Sequence, residues 1–352
     1  MINKTIRAAI ALFLCLALLV SSIALVFLRA GDGDNRNYSE IIYESSNYVE
    51  ESSIASKENE SSELDESSVG EESSETELFP EIEVVTPENI TAGAIFELDS
   101  LYCIYSENAD SKLSIASITK LMTAHVALKY MPAEVEIIVG SEISMVKPDS
   151  SLCGLKRGYK MTHYDLLHGL LMQSGNDAAY TVAVNVARYV SENYEMENKT
   201  AVEYFCALMN EQAEYLCLEN TSFANPEGWD HESNYSTVND LAILARCVMN
   251  QEMIAEIVKT VNYKLTLESG EEIEFFNSNF LLHEESRFYH KGVIGLKTGS
   301  TSTAGKCLVT VVEIDGKRYM TIVMGCPNEE ARYVSSLELI KYVEEYHSKK
   351  FS

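Results

Sequence analysis

The tetrad Ser117-Ile-Thr-Lys120 could form the centre of a nucleophilic active site. Side chains three positions apart face the same way on a helix, so the Ser117 hydroxyl would lie beside the Lys120 amine. A serine hydroxyl is a weak nucleophile and needs a neighbouring base. A lysine amine can be that base if burial and nearby charge lower its pKa. By itself, the tetrad is more often a capping serine beside an exposed lysine.

Two later triplets carry polar groups of a complementary kind. Ser174-Gly-Asn176 lies between two helical patterns, where it also fits an ordinary turn. Lys297-Thr-Gly299 ends a strand-like segment. A Lys and a Thr that project from an edge strand can bind a carboxylate, and Gly299 would let a substrate backbone approach closely. Either triplet alone is weak evidence, but the three elements in this order resemble those of penicillin-binding proteins and class A β-lactamases.

The periodicity of apolar residues predicts the elements that must position these groups. Helical patterns cover residues 118–129, 164–171, 177–189, 201–216, 238–250 and 329–346. Strand-like runs are an N-terminal hairpin in AGAIFELDSLYCIYS and residues 263–267, 272–276, 293–297, 306–313 and 318–324. Because strands open and close the chain around a helical middle, we expect an α+β domain whose terminal segments share one antiparallel sheet.

The N-terminal part of the chain predicts a membrane tether. Residues 8–28 form an uncharged apolar run, long enough to span a bilayer and longer than the apolar part of most secretory signals. We favour an uncleaved anchor with residues 1–7 in the cytoplasm and the rest outside; a cleaved signal stays open. Residues 29–85, rich in Ser and Glu, predict a disordered acidic spacer, and residues 86–352 are the expected catalytic domain.

Composition argues against two other kinds of site. The formal net charge is −27, and nucleic-acid binding needs Lys and Arg to neutralise phosphates. The seven histidines are scattered without an HExxH or HxH cluster, so neither a metal nor another cofactor is expected. The eight cysteines form no CxxC pair. Most are expected to be small buried apolar residues, and a disulfide between Cys206 and Cys217 stays open.

The context of the three motifs resembles the D-alanyl-D-alanine carboxypeptidase family of low-molecular-mass penicillin-binding proteins, the serine peptidases of group S11. The resemblance covers roughly residues 90–347 and is carried by SSLCGLKRGYKMTHYDLLHGLLMQSGNDAA, FANPEGWD, YSTVNDLAILARCV and KTGSTSTAGKCL. It implies a β-lactamase/transpeptidase-like fold, with an antiparallel sheet flanked by helices and a helical subdomain. Where some relatives carry a His in the loop matching PEGW, this chain has Glu227, so fine substrate preference does not follow from the family.

The resemblance also implies a role for each motif residue. Ser117 would be the acyl-enzyme nucleophile, Lys120 its base, and Ser174 the shuttle that passes a proton to the leaving amine. The residues that would contact the substrate are Asn176, Lys297, Thr298, Gly299, Ser300 and Arg332. Asn176 would orient Lys120 and the substrate amide. The match of Arg332 is looser, since a solvated residue opening the last helix is the alternative.

Two binding roles follow from the same resemblance. Lys297 and Thr298 would bind the carboxylate of the terminal D-Ala, because a lysine on the strand can donate a charge-assisted hydrogen bond to it. The backbone N–H groups of Ser117 and Ser300 would donate to the oxyanion.

The implied reaction is removal of the terminal D-Ala from peptidoglycan stem pentapeptides through an acyl-enzyme on Ser117. β-Lactams would acylate the same serine, because their strained amide imitates the bond that is cleaved. We expect this on the outer face of a bacterial cytoplasmic membrane, or in a secreted protein if the N-terminal segment is cleaved. A D,D-endopeptidase or transpeptidase on the same fold and a non-catalytic β-lactam or peptidoglycan sensor are the alternatives. A β-lactamase is disfavoured, because its S-D-N element needs Asp where Gly175 stands.

Overall fold

The computed structural model describes residues 82–352. The predicted cytoplasmic N-terminus, the apolar run over residues 8–28 and nearly all of the predicted acidic spacer lie outside the described residues. Between Ile82 and Ser352, no helix combines the length and the apolar character needed to cross a membrane.

A five-stranded antiparallel sheet brings the two ends of the described chain together. Its strands, in spatial order, are β2 (Cys103–Glu107), β1 (Ala92–Glu97), β9 (Lys317–Cys326), β8 (Gly305–Ile314) and β7 (Val293–Thr301). Ala94 of β1 lies opposite Ile322 of β9. The prediction that the terminal segments share one sheet is therefore confirmed.

The strand β7 is an edge strand, as predicted for the segment that carries Lys297. It pairs on one side with β8, and Lys297 lies opposite Val309. The strand continues to Thr301, so the Lys-Thr-Gly triplet lies inside β7 and not at its end. The prediction of residues 293–297 was too short because glycine, serine and threonine after Lys297 read as a turn.

The core of the sheet comes from β8 and β9, whose central residues are buried on both faces. A tight turn joins them, with positive φ at Asp315 (49°) and Gly316 (75°), as the Asp-Gly pair predicts. The last helix, α7 (Glu329–Phe351), covers one face and buries Tyr333 and Leu339 against the sheet. It begins where predicted and extends beyond the predicted end at residue 346.

Helices form the other side of the molecule. They are α1 (Thr119–Tyr130), α2 (His163–Leu171), α3 (Asn176–Ser191), α4 (Asn198–Tyr215), α5 (Val238–Met249) and α6 (Glu252–Lys259). The central helix is α1, which contacts α2, α3, α4 and α5. A helix surrounded in this way is buried on most of its faces, and α1 buries every residue from Thr119 to Ala124.

Three elements were missed by the sequence patterns. The helix α6 is short and follows α5 almost directly, so its apolar period merges with that of α5. The strands β3 (Glu136–Ile138) and β4 (Lys160–Thr162) pair with each other but have only three residues each, too few for an alternation to stand out. The hairpin of β5 (Asn262–Thr266) and β6 (Glu272–Phe276) was predicted nearly to the residue.

Cysteines in the described part of the chain are all free thiols. Cys206 is buried and Cys217 is exposed, so the disulfide that the sequence left open does not form. Cys153, Cys307 and Cys326 are also buried, as small apolar residues commonly are.

Candidate active site

The candidate nucleophile lies in a single 3-10 turn, Ala116–Ile118, directly before α1. Its hydroxyl oxygen, Ser117 Oγ, is 2.9 Å from Lys120 Nζ, so the predicted pairing is confirmed although Ser117 precedes the α-helix. The turn is backed by Gly228, whose φ is +88°. A Cβ atom there would lie 1.9 Å from the Ala116 carbonyl oxygen, so only glycine allows this loop to pass so close.

The candidate base, Lys120, is fully buried and has three oxygen partners. Its Nζ is 2.9 Å from Ser117 Oγ, 2.8 Å from Asn176 Oδ1 and 2.7 Å from the backbone oxygen of Glu227. An ammonium group can donate to all three oxygens. A neutral amine can donate to the amide and carbonyl oxygens and accept the serine proton. The geometry therefore suits Lys120 both before and after it takes a proton from Ser117.

Burial decides the protonation of this lysine. Desolvation lowers the pKa of Lys120 to about 7, although the charges of Glu227 and Asp177 act in the opposite direction. An amine with this pKa is substantially neutral near neutral pH, which is the condition for a general base there.

The Ser174-Gly-Asn176 triplet forms the turn between α2 and α3, as predicted. Ser174 is buried with a φ of 61°, and Asn176 opens α3 and reaches Lys120. The lysine nitrogen bonds to Ser117, Asn176 and Glu227 and not to Ser174. The structure thus brings Asn176 to the base and leaves Ser174 beside it in the same turn.

A second segment fixes this turn from outside. The Asp177 carboxylate accepts hydrogen bonds from the backbone N–H groups of Cys153, Gly154 and Leu155 at 2.9 Å each. A Cβ on Gly175 would come within 2.7 Å of Cys153 Sγ. The S-D-N triplet of a β-lactamase therefore does not fit here without displacing this segment.

Lys297, on β7, is a second buried lysine in the site. Its Nζ donates to the Thr298 carbonyl oxygen at 3.1 Å, and within residues 82–352 no carboxylate pairs with it. Burial, followed by the nearby charges of Lys120 and Arg332, holds the pKa of Lys297 well below its usual value. A buried cation of this kind gains most from an arriving anion. Thr298 is held by a 2.8 Å hydrogen bond between its Oγ1 and Ser278 Oγ.

Arg332 is placed at the same strand by the first turn of α7. It is 3% exposed, its Nη1 donates to the Gly299 carbonyl oxygen at 3.3 Å, and its Nη2 donates to Glu329 Oε1 at 2.6 Å. The solvated alternative for Arg332 is therefore wrong. Lys120, Lys297 and Arg332 form one group of basic side chains, close enough for the charges of Lys120 and Arg332 to lower the pKa of Lys297.

The structure corrects the reason given for Gly299. Its hydrogen faces the chain's own nucleophile turn, where a Cβ would lie 2.9 Å from the Ile115 oxygen and 3.2 Å from Ala116 Cβ. The missing side chain of Gly299 thus makes room for the close approach of this turn to β7. The neighbouring Ser300 is exposed and so remains accessible to a ligand.

Two functional groups in the loop after α4 were missed by the sequence analysis. The first is the Glu227 carbonyl oxygen that binds Lys120, and the second is Asp230. The Asp230 carboxylate accepts hydrogen bonds from Ser114 Oγ at 3.1 Å and Thr301 Oγ1 at 2.6 Å. It thereby ties the end of β7 to the segment before Ser117. A backbone acceptor has no side-chain signature, and in the sequence this loop stood out only through FANPEGWD, one of the segments that carry the family resemblance.

The arrangement can carry out acyl transfer on a substrate that ends in a carboxylate. Ser117 and Lys120 supply nucleophile and base, and the cations on β7 and α7 supply the anion site. Residues 82–352 contain no group of three or more His, Cys, Asp or Glu side chains placed to hold a metal ion.

Comparison with known proteins connects this site to one family. The family described as D-alanyl-D-alanine carboxypeptidase (Peptidase_S11) matches residues 82–328. The D-alanyl-D-alanine carboxypeptidase of Streptomyces sp. strain K15 is 32% identical over 250 residues, which cover 68% of this chain and 81% of that protein. DacF of Bacillus subtilis is 28% identical over 255 residues, which cover 71% of this chain and 61% of that protein. This chain thus matches less than two thirds of the length of the Bacillus relative.

A solved structure agrees with the sequence comparisons. The crystal structure of the Streptomyces K15 DD-transpeptidase matches with a TM-score of 0.66 and 29% sequence identity, over 74% of this chain and 98% of that chain. The predicted β-lactamase/transpeptidase-like fold, an antiparallel sheet flanked by helices, is therefore confirmed for the described residues.

Proposed function

The chain belongs to the D-alanyl-D-alanine carboxypeptidase family, peptidase family S11, and from this premise we propose that it removes the terminal D-Ala from peptidoglycan stem pentapeptides. The observation that carries the proposal is the 2.9 Å contact between Ser117 Oγ and the buried Lys120 Nζ, close to the unpaired cation Lys297. A serine with an amine base next to an anion site is what a carboxypeptidase with an acyl-enzyme intermediate requires.

Acylation would begin when neutral Lys120 accepts the hydroxyl proton of Ser117. Ser117 Oγ attacks the carbonyl carbon of the penultimate D-Ala, and backbone N–H groups at Ser117 and Ser300 stabilise the oxyanion. The C–N bond then breaks, and the proton returns through Ser174 to the leaving D-Ala amine. Water, deprotonated in the same way, hydrolyses the ester and restores the serine.

The anion site would hold the free carboxylate of the substrate. Lys297 and Arg332 are buried cations, and Thr298 adds a hydroxyl donor on the same strand. Charge-assisted hydrogen bonds from such groups are about twice as strong as neutral ones. They also align the scissile bond against Ser117, which lowers the entropic barrier to attack. A β-lactam carries a carboxylate next to its strained amide and would occupy the same site.

Product analysis tests the reaction. The full chain in detergent and its Ser117→Ala variant are incubated with a stem pentapeptide, and free D-Ala and tetrapeptide are followed by mass spectrometry. We expect release by the wild-type chain and none by the variant. A folded wild-type chain that neither releases D-Ala nor takes up labelled penicillin would overturn the proposal.

Transpeptidation is the second candidate, since the matching crystal structure carries the name of a DD-transpeptidase. Both reactions share the acyl-enzyme, and the acceptor decides the product. Adding an amine acceptor peptide to the same assay separates them: cross-linked peptide in excess of tetrapeptide would favour the transpeptidase. Cleavage of a cross-linked dimer without D-Ala release would favour an endopeptidase, and penicillin uptake without any turnover would favour a sensor.

The catalytic domain would act outside the cytoplasmic membrane, tethered by residues 8–28. The support is the uncharged apolar run behind Lys4 and Arg7 and the location of peptidoglycan. In a bacterial host, we expect the chain to stay with carbonate-washed membranes and to be digested by protease added to spheroplasts. Recovery in the cytosol would overturn this location, whereas recovery in the medium without the N-terminal segment would indicate a cleaved signal.

A further inference from the structure

Glu227 has a buried side chain, and its main chain contacts the candidate base. The side chain is 1% exposed, although Glu is among the residues that are least often fully buried. The backbone oxygen of the same residue accepts the 2.7 Å hydrogen bond from Lys120 Nζ. The main chain of Glu227 thus contacts Lys120, and the charge of its side chain raises the pKa of Lys120.

The partners of this carboxyl group do not neutralise it. Its Oε1 accepts a 2.8 Å hydrogen bond from Tyr180 OH, and its Oε2 has no hydrogen-bond partner among residues 82–352. A buried carboxylate with one neutral donor is costly unless a charge nearby compensates it. The cation within electrostatic reach that shares its environment most closely is Lys120.

Each of the other ionisable groups around Lys120 and Glu227 interacts electrostatically with one of these two residues. Those that face Lys120 are Asp177 on α3, the Cys153 thiol in the segment before β4, and Lys297 on β7. Those that face Glu227 are Tyr180 on α3, Cys206 on α4 and Lys147 in the segment between β3 and β4. Asp177 is already held by three backbone N–H groups. Glu227, by contrast, keeps its Oε2 without a hydrogen-bond partner among residues 82–352.

We propose that Glu227 is a positioning residue that controls the charge of Lys120, so that its carboxylate holds the base in the cationic form until the pH rises. This inference rests on the proposed acyl transfer through Ser117. Glu227 thus has a function of its own in this loop, where the family resemblance left fine substrate preference undetermined.

The direction of the effect follows from electrostatics. Burial favours the neutral form of both groups and raises the pKa of Glu227, while the Tyr180 hydrogen bond and the Lys120 charge oppose this. An ionised Glu227 raises the pKa of Lys120. Removing that negative charge takes away a contribution that raises the pKa of Lys120, whereas burial still lowers it. Lys120 would therefore lose its proton at a lower pH. Because the two groups are coupled, the measurable quantity is the apparent pKa of the acylation step.

The variant Glu227→Gln isolates the charge from the packing. The amide keeps the shape of the side chain, and its oxygen can still accept from Tyr180. The second-order rate of acylation by a fluorescent penicillin is measured for the full chain in detergent from about pH 5 to about pH 9. We expect the acidic limb of the profile to move down by roughly one pH unit, with an unchanged plateau at high pH.

Two further variants sharpen the experiment. Tyr180→Phe removes the donor to Glu227 Oε1, disfavours the ionised carboxyl group, and should shift the limb in the same direction by a smaller amount. It also carries the test if Glu227→Gln does not fold. Glu142→Gln is the matched control. Glu142 is equally buried, at 1% exposure, but its carboxylate accepts a 2.7 Å hydrogen bond from the Gly140 N–H and does not contact Lys120. Its profile should equal that of the wild type.

The possible results are distinct. A folded Glu227→Gln variant with the wild-type acidic limb would overturn the inference and leave the proposed function intact. If the folded wild-type chain is not acylated at any pH, the proposed function, on which the inference depends, is overturned instead. A downward shift in Glu227→Gln that is absent in Glu142→Gln would support the positioning role, since a purely structural residue would change the plateau and not the limb.

Discussion

Arg332 donates a hydrogen bond to the Gly299 carbonyl oxygen over 3.3 Å, so the helix that closes the described chain is joined to the strand that carries Lys297. The guanidinium group has left solvent to make this contact, and its Nε has no hydrogen-bond partner among residues 82–352. A buried cation with donor capacity to spare, next to a second cation, marks the place where a substrate carboxylate would bind.

Replacing Arg332 by Gln should therefore weaken substrate binding more than chemistry. A hydrogen bond to a charged group contributes about 2 kcal/mol, which corresponds to a roughly thirtyfold rise in KM for the pentapeptide. Steady-state D-Ala release measures this, with kcat expected to change less. Arg287→Gln is the matched control, because Arg287 forms an exposed ion pair with Glu330 at 2.9 Å. Equal KM values for the two variants would show that Arg332 does not bind the substrate carboxylate.

Lys120 should set the pH dependence of acylation. Its pKa of about 7 predicts that the rate rises as pH increases through this value, since only the deprotonated amine accepts the serine proton. Lys120→Arg keeps a cation that does not deprotonate, and should reduce acylation by about a thousandfold. Lys129→Arg, on the same helix and hydrogen-bonded to Gln212 at 2.7 Å, should behave as the wild type. A fully active Lys120→Arg chain would mean that another group is the base.

Gly228 should be intolerant of any side chain. In Gly228→Ala the new Cβ would lie 1.9 Å from the Ala116 oxygen, so the loop must move and the nucleophile turn with it. Left-handed strain and overpacking together should cost about 3 kcal/mol or more. Gly270→Ala has a similar φ, +83°, but open space around it, and should cost only about 1 kcal/mol. Urea unfolding of both variants measures the difference, and equal losses would show that sterics at Gly228 are unimportant.

Asp230 should contribute stability that disappears in acid. Burial alone would raise the pKa of Asp230, but hydrogen bonds from Thr301, Thr303 and Ser114 lower it. A carboxyl group with a depressed pKa stabilises the fold fully above its unfolded pKa of about 3.9 and loses this contribution as pH falls through the folded value.

The variant Asp230→Asn should therefore be less stable than the wild type near pH 7, and the difference should shrink below about pH 4. Denaturant midpoints at both pH values measure it. Asp110→Asn serves as the control, because this exposed carboxylate accepts its 2.7 Å hydrogen bond from the Asn239 side chain and lies away from β7. A pH-independent difference for Asp230→Asn would contradict the electrostatic explanation.

Much of this fold and site could be predicted from the sequence, because the signals are local. The spacing of Ser117 and Lys120 fixed their pairing, and the Asp315-Gly316 turn fixed the pairing of β8 with β9. The shared antiparallel sheet followed from strands that open and close the chain. These features depend on side-chain spacing and turn chemistry, which a sequence displays directly.

The remainder depends on contacts between distant segments and on main-chain atoms. The Glu227 carbonyl oxygen binds Lys120, but every residue has a carbonyl oxygen, so no residue type announces this role. Gly299 was expected to admit a substrate, yet its missing side chain admits the turn around Ala116. The burial of Arg332 likewise depends on how α7 packs on the sheet, which helical periodicity alone does not determine.

The pairing of β1 with β9 has a consequence for biosynthesis. Ala94 pairs with Ile322, so β1 cannot pair with β9 until residues up to about Ile322 have left the ribosome. Pairings of such long sequence separation form slowly because of the entropy lost in closing the loop. Lys297 joins Lys120 only when β7 docks on that sheet. An enzyme assembled in this order is inert while it is being synthesised, because the anion site joins the nucleophile pair only at this late stage.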